Sequence, residues 1–305
     1  MENGEKRKKL HNDLKKTKNM FETSAFEGNI INGENSCKTL SEKLIDLQNN
    51  IKNLGRVAVA FSGGVDSTLL LAVAKDVLGS NVLAITASSL VVPEAELIFT
   101  KTFTKELGVD HKIFAFDELS VDDFKNNTPE RCYFCKREIL GLMLDVTKEY
   151  KIDYLIEGTN SDDASDYRPG SRAILELGVM SPLRDSDLSK LEIRQLSKVL
   201  NLPTWDKPSN ACFASRFPYG EGITKEKLKR VELAEEFLKS FNLGQLRVRS
   251  HGDLARIEVG SDVFSLIFEN DVRLQIERKL KELGYKYVAL DLTGYRTGSM
   301  NEALK

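Results

Sequence analysis

The chain has 305 residues, 41% hydrophobic and 30% charged, with 44 Lys and Arg against 46 Asp and Glu. That length predicts about two domains with real cores. No apolar stretch of about 18 residues occurs, and the lysine-rich start MENGEKRKKLHNDLKKTKNMF lacks the apolar segment of a secretory signal, so a cytoplasmic protein without membrane contact is expected. A net charge of -2 argues against nucleic acid as a partner.

Residues 1–40 show little apolar periodicity and read as an appendage. A helix is predicted from Ser41 to Asn53, with Leu44, Ile45 and Leu47 facing inward. RVAVAF at 56–61 is a buried strand ending at a glycine-rich turn. Ser67 to Leu78 is a helix closed by Gly79. A strand (Val82 to Ala87), a helix (Glu94 to Leu107), a strand (His111 to Phe116), a helix (Cys132 to Tyr150) and a strand (Tyr154 to Glu157) follow. Short apolar strands alternating with amphipathic helices predict an α/β fold, a parallel sheet with helices on both faces. A helix over Ser189 to Leu200 carries a capping-box spacing in Ser189 and Glu192. Prolines 203 and 208 mark the way out of this domain, taken as residues 41–205. The remainder, 206–305, has the rhythm of a smaller α+β domain: a helix over Thr224 to Asn242, a hairpin of QLRVRS and LARIEV, a long helix from Ser261 to Leu283 and a strand from Lys286 to Leu292.

The central motif is Ser62-Gly63-Gly64-Val65-Asp66-Ser67, between a buried strand and a helix. Its glycines let the backbone approach a ligand closely, and a helix start offers unpaired N–H groups and a positive dipole end. With the hydroxyls of Ser62 and Ser67 it can cradle nucleotide phosphates, and Asp66 can hold Mg2+. The GxxxxGK[ST] spacing of a Walker A loop is absent, as is GxGxxG. An incidental turn would explain one glycine, but not this ordered set.

SGGVDS after an apolar strand resembles the PP-loop ATP pyrophosphatases, which include GMP synthetase, ammonia-dependent NAD synthetase and RNA thiolases. The resemblance implies that a substrate oxygen attacks the α-phosphorus of ATP, AMP is transferred and pyrophosphate leaves. It also implies adenine near the end of the second strand, at about Ala84 to Ala87. SPLRDSDLSKLEIRQLSKVLNLP (181–203) is similar to the stretch after the last core strand in these enzymes. NNTPERCYFCK (126–136), GTNSDDASDYRPG (158–170), NACFASRFPYG (210–220), LRVRSHGDLARIE (246–258) and LDLTGYRTGSMN (291–302) together resemble the LarE family of sulfur insertases. That resemblance implies a pyridinium mononucleotide substrate whose two carboxylates are adenylated and become thiocarboxylates, a sulfide source and a homo-oligomer. Arg216, Arg247, Arg249 and Arg256 are candidate anion clamps, since guanidinium forks match phosphate and carboxylate. Arg247 and Arg249 alternate on one strand face and match the family's phosphate-binding arginines. The plain alternative is ion pairing with Glu235, Asp253 or Glu258. Asp162, Asp163 and Asp166 could orient substrate or assist Mg2+, or simply cap helices and build turns.

Four cysteines are present: Cys37, in the appendage and read as incidental, and Cys132, Cys135 and Cys212. Cys132 and Cys135 sit at a predicted helix start flanked by Arg131, Lys136 and Arg137, a setting that favours thiolate. With Cys212 they make three soft ligands. Three thiolates leave one iron of a [4Fe-4S] cluster open, where an extra sulfide could bind and later attack an adenylated carboxylate. Relatives of LarE type that sacrifice a single cysteine lack the CxxC pair. The cluster heads the alternatives, ahead of redox or persulfide-forming thiols and zinc. His111 and His251 are assigned no metal. Competing functions are a tRNA thiolase, an ammonia-dependent amide synthetase and a non-catalytic nucleotide or iron-sulfur protein.

Overall fold

The computed structural model describes residues 38–164, 169–208 and 211–296. Cys37, Asp166 and nearly all of the expected appendage lie outside the described residues. The chain divides into two compact units. One is built from the stretches up to Ser88, Glu94–Phe116 and Lys136–Ser209, the other from Ser89–Pro93, Asp117–Cys135 and Asn210 onward. Cys132, Cys135 and Cys212 therefore fall in the same unit.

In the first unit, helix α1 (Leu40–Lys52) is opened by a capping box between Thr39 and Glu42. Leu44 and Leu47 are buried as expected, but Ile45 is exposed, and Lys43 is buried in its place. The Lys43 ammonium can sit there because it meets Asp187 and Glu192. β1 (Val57–Ala60) leads to α2 (Val65–Leu78), then β2 (Val82–Ser88), α3 (Glu94–Leu107) and β3 (Asp110–Ala115). α4 (Arg131–Glu149), whose first turn is counted with the second unit, precedes β4 (Tyr154–Ile156) and α5 (Lys190–Val199). The four strands form one parallel sheet in the order β3-β2-β1-β4. Alternate strand residues enter different cores: Val57, Val59 and Ala84 join Leu69, Leu70 and Val73 of α2, whereas Ala58, Leu83 and Ile85 join Leu140 and Met143 of α4. The sheet is thus covered on both faces, which is why its strands read as continuous apolar runs.

The second unit carries α6 (Lys225–Lys239), β5 (Leu246–His251), β6 (Leu254–Val259), α7 (Asn270–Glu282) and β7 (Tyr287–Leu290). β5 and β6 form the expected hairpin, and β7 adds in parallel to β6, giving a mixed three-stranded sheet. The single long helix expected from Ser261 to Leu283 is instead three pieces: a 3-10 turn (Ser261–Val263), a short helix (Phe264–Phe268) and α7. Glu269, with ψ of 132°, is extended and breaks it. Nothing in the local sequence announces that break, since Glu is a good helix former.

Behind β1, His111 bonds Thr104 through Nδ1 (3.0 Å) and Thr86 through Nε2 (2.8 Å), and the Thr86 hydroxyl donates to the Phe61 carbonyl (2.7 Å). Burial, and then the charge of Lys101, push the His111 pKa down to about 4. A ring that is neutral when folded but charges near 6.5 when unfolded stabilises the fold above that pH, and its contribution is lost as pH falls toward 4. Thermal melts are expected to show the melting temperature dropping between pH 6.5 and 4, with a shallower drop for His111→Gln; equal slopes would rule His111 out as a source.

Candidate active site

The SGGVDS segment forms the bend that the sequence predicts. Phe61 N–H is the last to pair with β2, at the Ile85 carbonyl (2.8 Å). Gly63 then takes φ of +75°, a left-handed conformation that only glycine adopts freely. A Cβ on it would meet Phe99 at 3.0 Å and Thr100 at 3.1 Å. Helix α2 starts at Val65, two residues earlier than expected, with Gly64 as an N-cap that has no side chain to offer. Its first-turn N–H groups therefore face the loop, the arrangement that binds anions. Ser62 and Ser67 brace it: their hydroxyls lie 3.1 Å apart, Ser62 N–H meets the Ser67 hydroxyl (3.3 Å), and Ser67 reaches the Gly64 carbonyl (3.3 Å).

Asp66 lies in the first turn of α2. Asn160 donates to its Oδ1 (3.3 Å), and the Lys190 ammonium bonds Oδ2. The Lys190 ammonium thus balances the charge of this carboxylate. Asp163 takes the Asn160 N–H on its Oδ2 (3.0 Å), and Asp162 accepts the Lys190 N–H (2.8 Å). The two aspartates thus do turn and capping work that sets Asn160 and Lys190 in place. Ser189 and Glu192 form the predicted capping box of α5. Lys190 was not singled out in the sequence; its position one residue past a cap was the available signal. Ala87 lies in β2, half-buried, paired in register with Phe114. The end of β4 packs against the start of α2: a Cβ at Gly158 would sit 3.1 Å from Ser67 N and 3.2 Å from Asp66 Cβ.

The second unit gathers the cysteines. The 3-10 turn Phe213–Arg216 follows Cys212, and Cys212 Sγ accepts the Ala214 N–H (3.4 Å). Phe213, Ala214 and Phe217 share a small core with Phe124 and Val91, against which Cys135 packs. Asn127 stitches the two stretches together through the Phe217 and Pro218 carbonyls (3.3 and 2.6 Å). Arg131 is buried, bonded to Asn127 and stacked 4.5 Å over Tyr219. Burial pushes the Cys135 thiol far up, and the charges of Cys212, Glu118 and Cys132 push it further. Cys132 and Cys212 are exposed and Cys135 is half-buried; crowding by neighbouring protein atoms, with Cys132 and Glu118, pushes the Cys212 thiol up against the Ala214 bond and Arg131. The thiolate character expected of the Cys132–Cys135 pair is opposed at Cys135, where partial loss of water counts against the cations and the helix start. The same influences place the three sulfurs within electrostatic range of one another. Among the described residues no three His, Cys, Asp or Glu side chains converge on a single-ion site. Glu118, which the sequence reading missed, is buried with one oxygen unpartnered, and burial raises its carboxyl against a bond to Ser89.

Arg216, Arg247 and Arg249 are buried, Arg256 is half-buried, and all four are engaged. Arg216 forks onto Glu235 through Nε and Nη2 (both 2.8 Å) and bonds the Ala211 and Cys212 carbonyls through Nη1 (2.7 and 3.2 Å). Arg249 pairs with Glu258 and bonds the Ser215 carbonyl (2.8 Å). Arg256 shares Glu258 at 3.0 Å. Arg247 stacks 5.2 Å over Tyr295; burial, and then Arg216, hold its pKa below the usual value.

No family model matches the chain. A protein of uncharacterized function from Synechocystis sp. is 43% identical over 87% of this chain and 99% of its own length. The pyridinium-3,5-bisthiocarboxylic acid mononucleotide synthase of Lactiplantibacillus plantarum is 38% identical over 87% of this chain and 96% of its own. A glutamine-hydrolyzing GMP synthase chain of Thermoplasma volcanium is 30% identical over 62% of this chain and 66% of its own. The chain belongs to the PP-loop ATP pyrophosphatase family, in its LarE-type branch. In this LarE-type chain the glycine bend is the PP-loop, and no described helix is long and apolar enough to cross a membrane.

Gly158→Ala is expected to push back the start of α2 without unfolding the chain. ATP-dependent AMP formation should then fall on the order of 10–100-fold with unchanged circular dichroism, and an unaltered rate would show that the β4 end does not position the loop.

Proposed function

We propose that this protein is an ATP-dependent sulfurtransferase. It adenylates the carboxylates of a pyridinium-3,5-biscarboxylic acid mononucleotide, releases pyrophosphate and replaces the activated oxygen with sulfur. The observation that carries the reading is that one chain holds both a PP-loop with its carboxylate–ammonium pair and, in one unit, three cysteines that bear on one another electrostatically. The name of the Lactiplantibacillus relative supports the substrate.

A carboxylate oxygen attacks the α-phosphorus of ATP, the α–β bridge breaks, and pyrophosphate departs with the electron pair. The N–H groups at the start of α2, the hydroxyls of Ser62 and Ser67, and Lys190 face that developing charge. Asp66 would hold Mg2+, which when bound neutralises the leaving group further. Ala87 would line the adenine. A sulfur nucleophile then adds to the acyl carbon, AMP leaves and a thiocarboxylate remains. Cys132, Cys135 and Cys212 would hold a three-thiolate cluster: they fall in one unit and bear on one another electrostatically, a like-charge penalty that cluster iron would relieve. A [4Fe-4S] cluster bound there would supply the sulfur. Arg216, Arg247 and Arg249 surround two carboxylates, Glu235 and Glu258, leaving this trio one positive charge in excess; that favours a phosphate-bearing substrate, with Arg216 also fixing the backbone at Cys212. Asp163 would orient substrate through Asn160.

Anaerobically purified protein should carry about four irons per chain and convert the dicarboxylated mononucleotide, with ATP, Mg2+ and sulfide, to product whose mass shows sulfur in place of oxygen. Cys132→Ala is expected to keep AMP formation and lose both iron and sulfur incorporation. Full sulfur incorporation by Cys132→Ala would refute the three-cysteine mechanism.

A further inference from the structure

Lys207 lies beyond α5, in the segment leading out of the first unit, and it reaches back to the PP-loop. Its ammonium donates to the Gly63 carbonyl (2.9 Å) and to Glu96 Oε2 (2.6 Å), and lies 4.4 Å over the Phe99 ring. The segment is held for this purpose by one face of α5. Arg194 donates to the carbonyls of Trp205 (2.8 Å) and Lys207 (2.7 Å), and Lys198 stacks 4.7 Å over the Trp205 ring. Lys190, Arg194 and Lys198 recur every four residues, so they share that face. The first touches Asp66, Arg194 holds the backbone that presents Lys207, and Lys198 covers the Trp205 ring beside it.

The peptide joining Gly63 to Gly64 has glycine on both sides. Its carbonyl and its N–H point opposite ways, so a half-turn of the plane would exchange them. That turn moves Gly64 from φ of -76° to positive φ, which glycine tolerates and other residues resist. A flipped peptide would aim a carbonyl oxygen where the loop now carries the Gly64 N–H, which donates weakly to the Ser62 hydroxyl (3.4 Å), and would repel an anion. The loop thus has the freedom to approach a phosphate closely and, for the same reason, the freedom to present the wrong group.

We propose that Lys207 is a positioning residue that locks the Gly63–Gly64 peptide in its anion-binding orientation by holding the Gly63 carbonyl on the side away from the phosphates. Glu96 and the Phe99 face aim the ammonium and balance its charge, so it acts as a hydrogen-bond anchor more than as an attracting cation. This rests on the reading that the loop grips pyrophosphate.

Calorimetric titration of the full-length chain with inorganic pyrophosphate and with AMP, at low and high salt, tests it. Lys207→Met should weaken pyrophosphate at least about ten-fold, the order of one strong hydrogen bond, and leave AMP unchanged. Lys207→Arg should recover most of the loss, and the loss should persist at high salt, where a purely coulombic effect would be screened. An unchanged pyrophosphate affinity, an equal loss for AMP, or a loss that disappears with salt would overturn the proposal. If Lys207→Met does not fold, Arg194→Gln reads the same point by releasing the segment that presents Lys207: pyrophosphate should weaken selectively, and no selective effect would overturn the proposal. A wild-type chain that binds no pyrophosphate would instead sink the reading of the loop itself.

Discussion

One carboxylate in the first turn of α2 ties together three stretches far apart in sequence. Asp66 receives Asn160 from the loop after β4 and Lys190 from the start of α5. Each partner is itself set by a neighbour: Asp163 takes the Asn160 backbone N–H, and Asp162 takes the Lys190 N–H. A helix start that presents N–H groups to an anion is useful only if it does not drift, and this network ties it to the loop after β4 and to the start of α5. The anion-binding ability then follows from the bend itself, from the left-handed Gly63 and the uncapped Gly64.

The second unit solves a different electrostatic problem. It sets the buried Arg216, Arg247 and Arg249 and the half-buried Arg256 partly against Glu235, Glu258 and Asp291, and it half-buries the Cys135 thiol where charge is costly. Arg216 joins the two themes: its fork is held by Glu235 while its remaining donors grip the backbone at Ala211 and Cys212. A cysteine held by such a buried anchor keeps its place whether its sulfur is protonated or ligated.

Much of this was legible in the sequence. The parallel sheet was readable because strands buried on both faces are unbroken apolar runs, as in VAVA and VLAITAS. The capping box of Ser189 and Glu192 and the glycine after α2 were equally plain, since caps are local chemistry. What could not be read depends on partners distant in the chain. Ile45 and Lys43 exchange roles because Asp187 and Glu192, far along the chain, arrive to satisfy the ammonium. Ion pairing of the arginines with Glu235 and Glu258 was among the alternatives, but spacing alone could not say which glutamate meets which fork. The Cys132–Cys135 pair reads as thiolate because flanking cations are visible in sequence and the half-burial of Cys135 is not. Lys207 and Glu118 carried no motif and became visible only through the backbone and side chains around them.

The decisive question is which phosphorus is attacked and by which oxygen. Substrate with carboxylates enriched in 18O, incubated with this protein, ATP and Mg2+, answers it by mass spectrometry of the nucleotide products. AMP bearing one labelled oxygen, together with unlabelled pyrophosphate, is the expected result. ADP with labelled orthophosphate would contradict it, because the bend would then be serving transfer of the terminal phosphate.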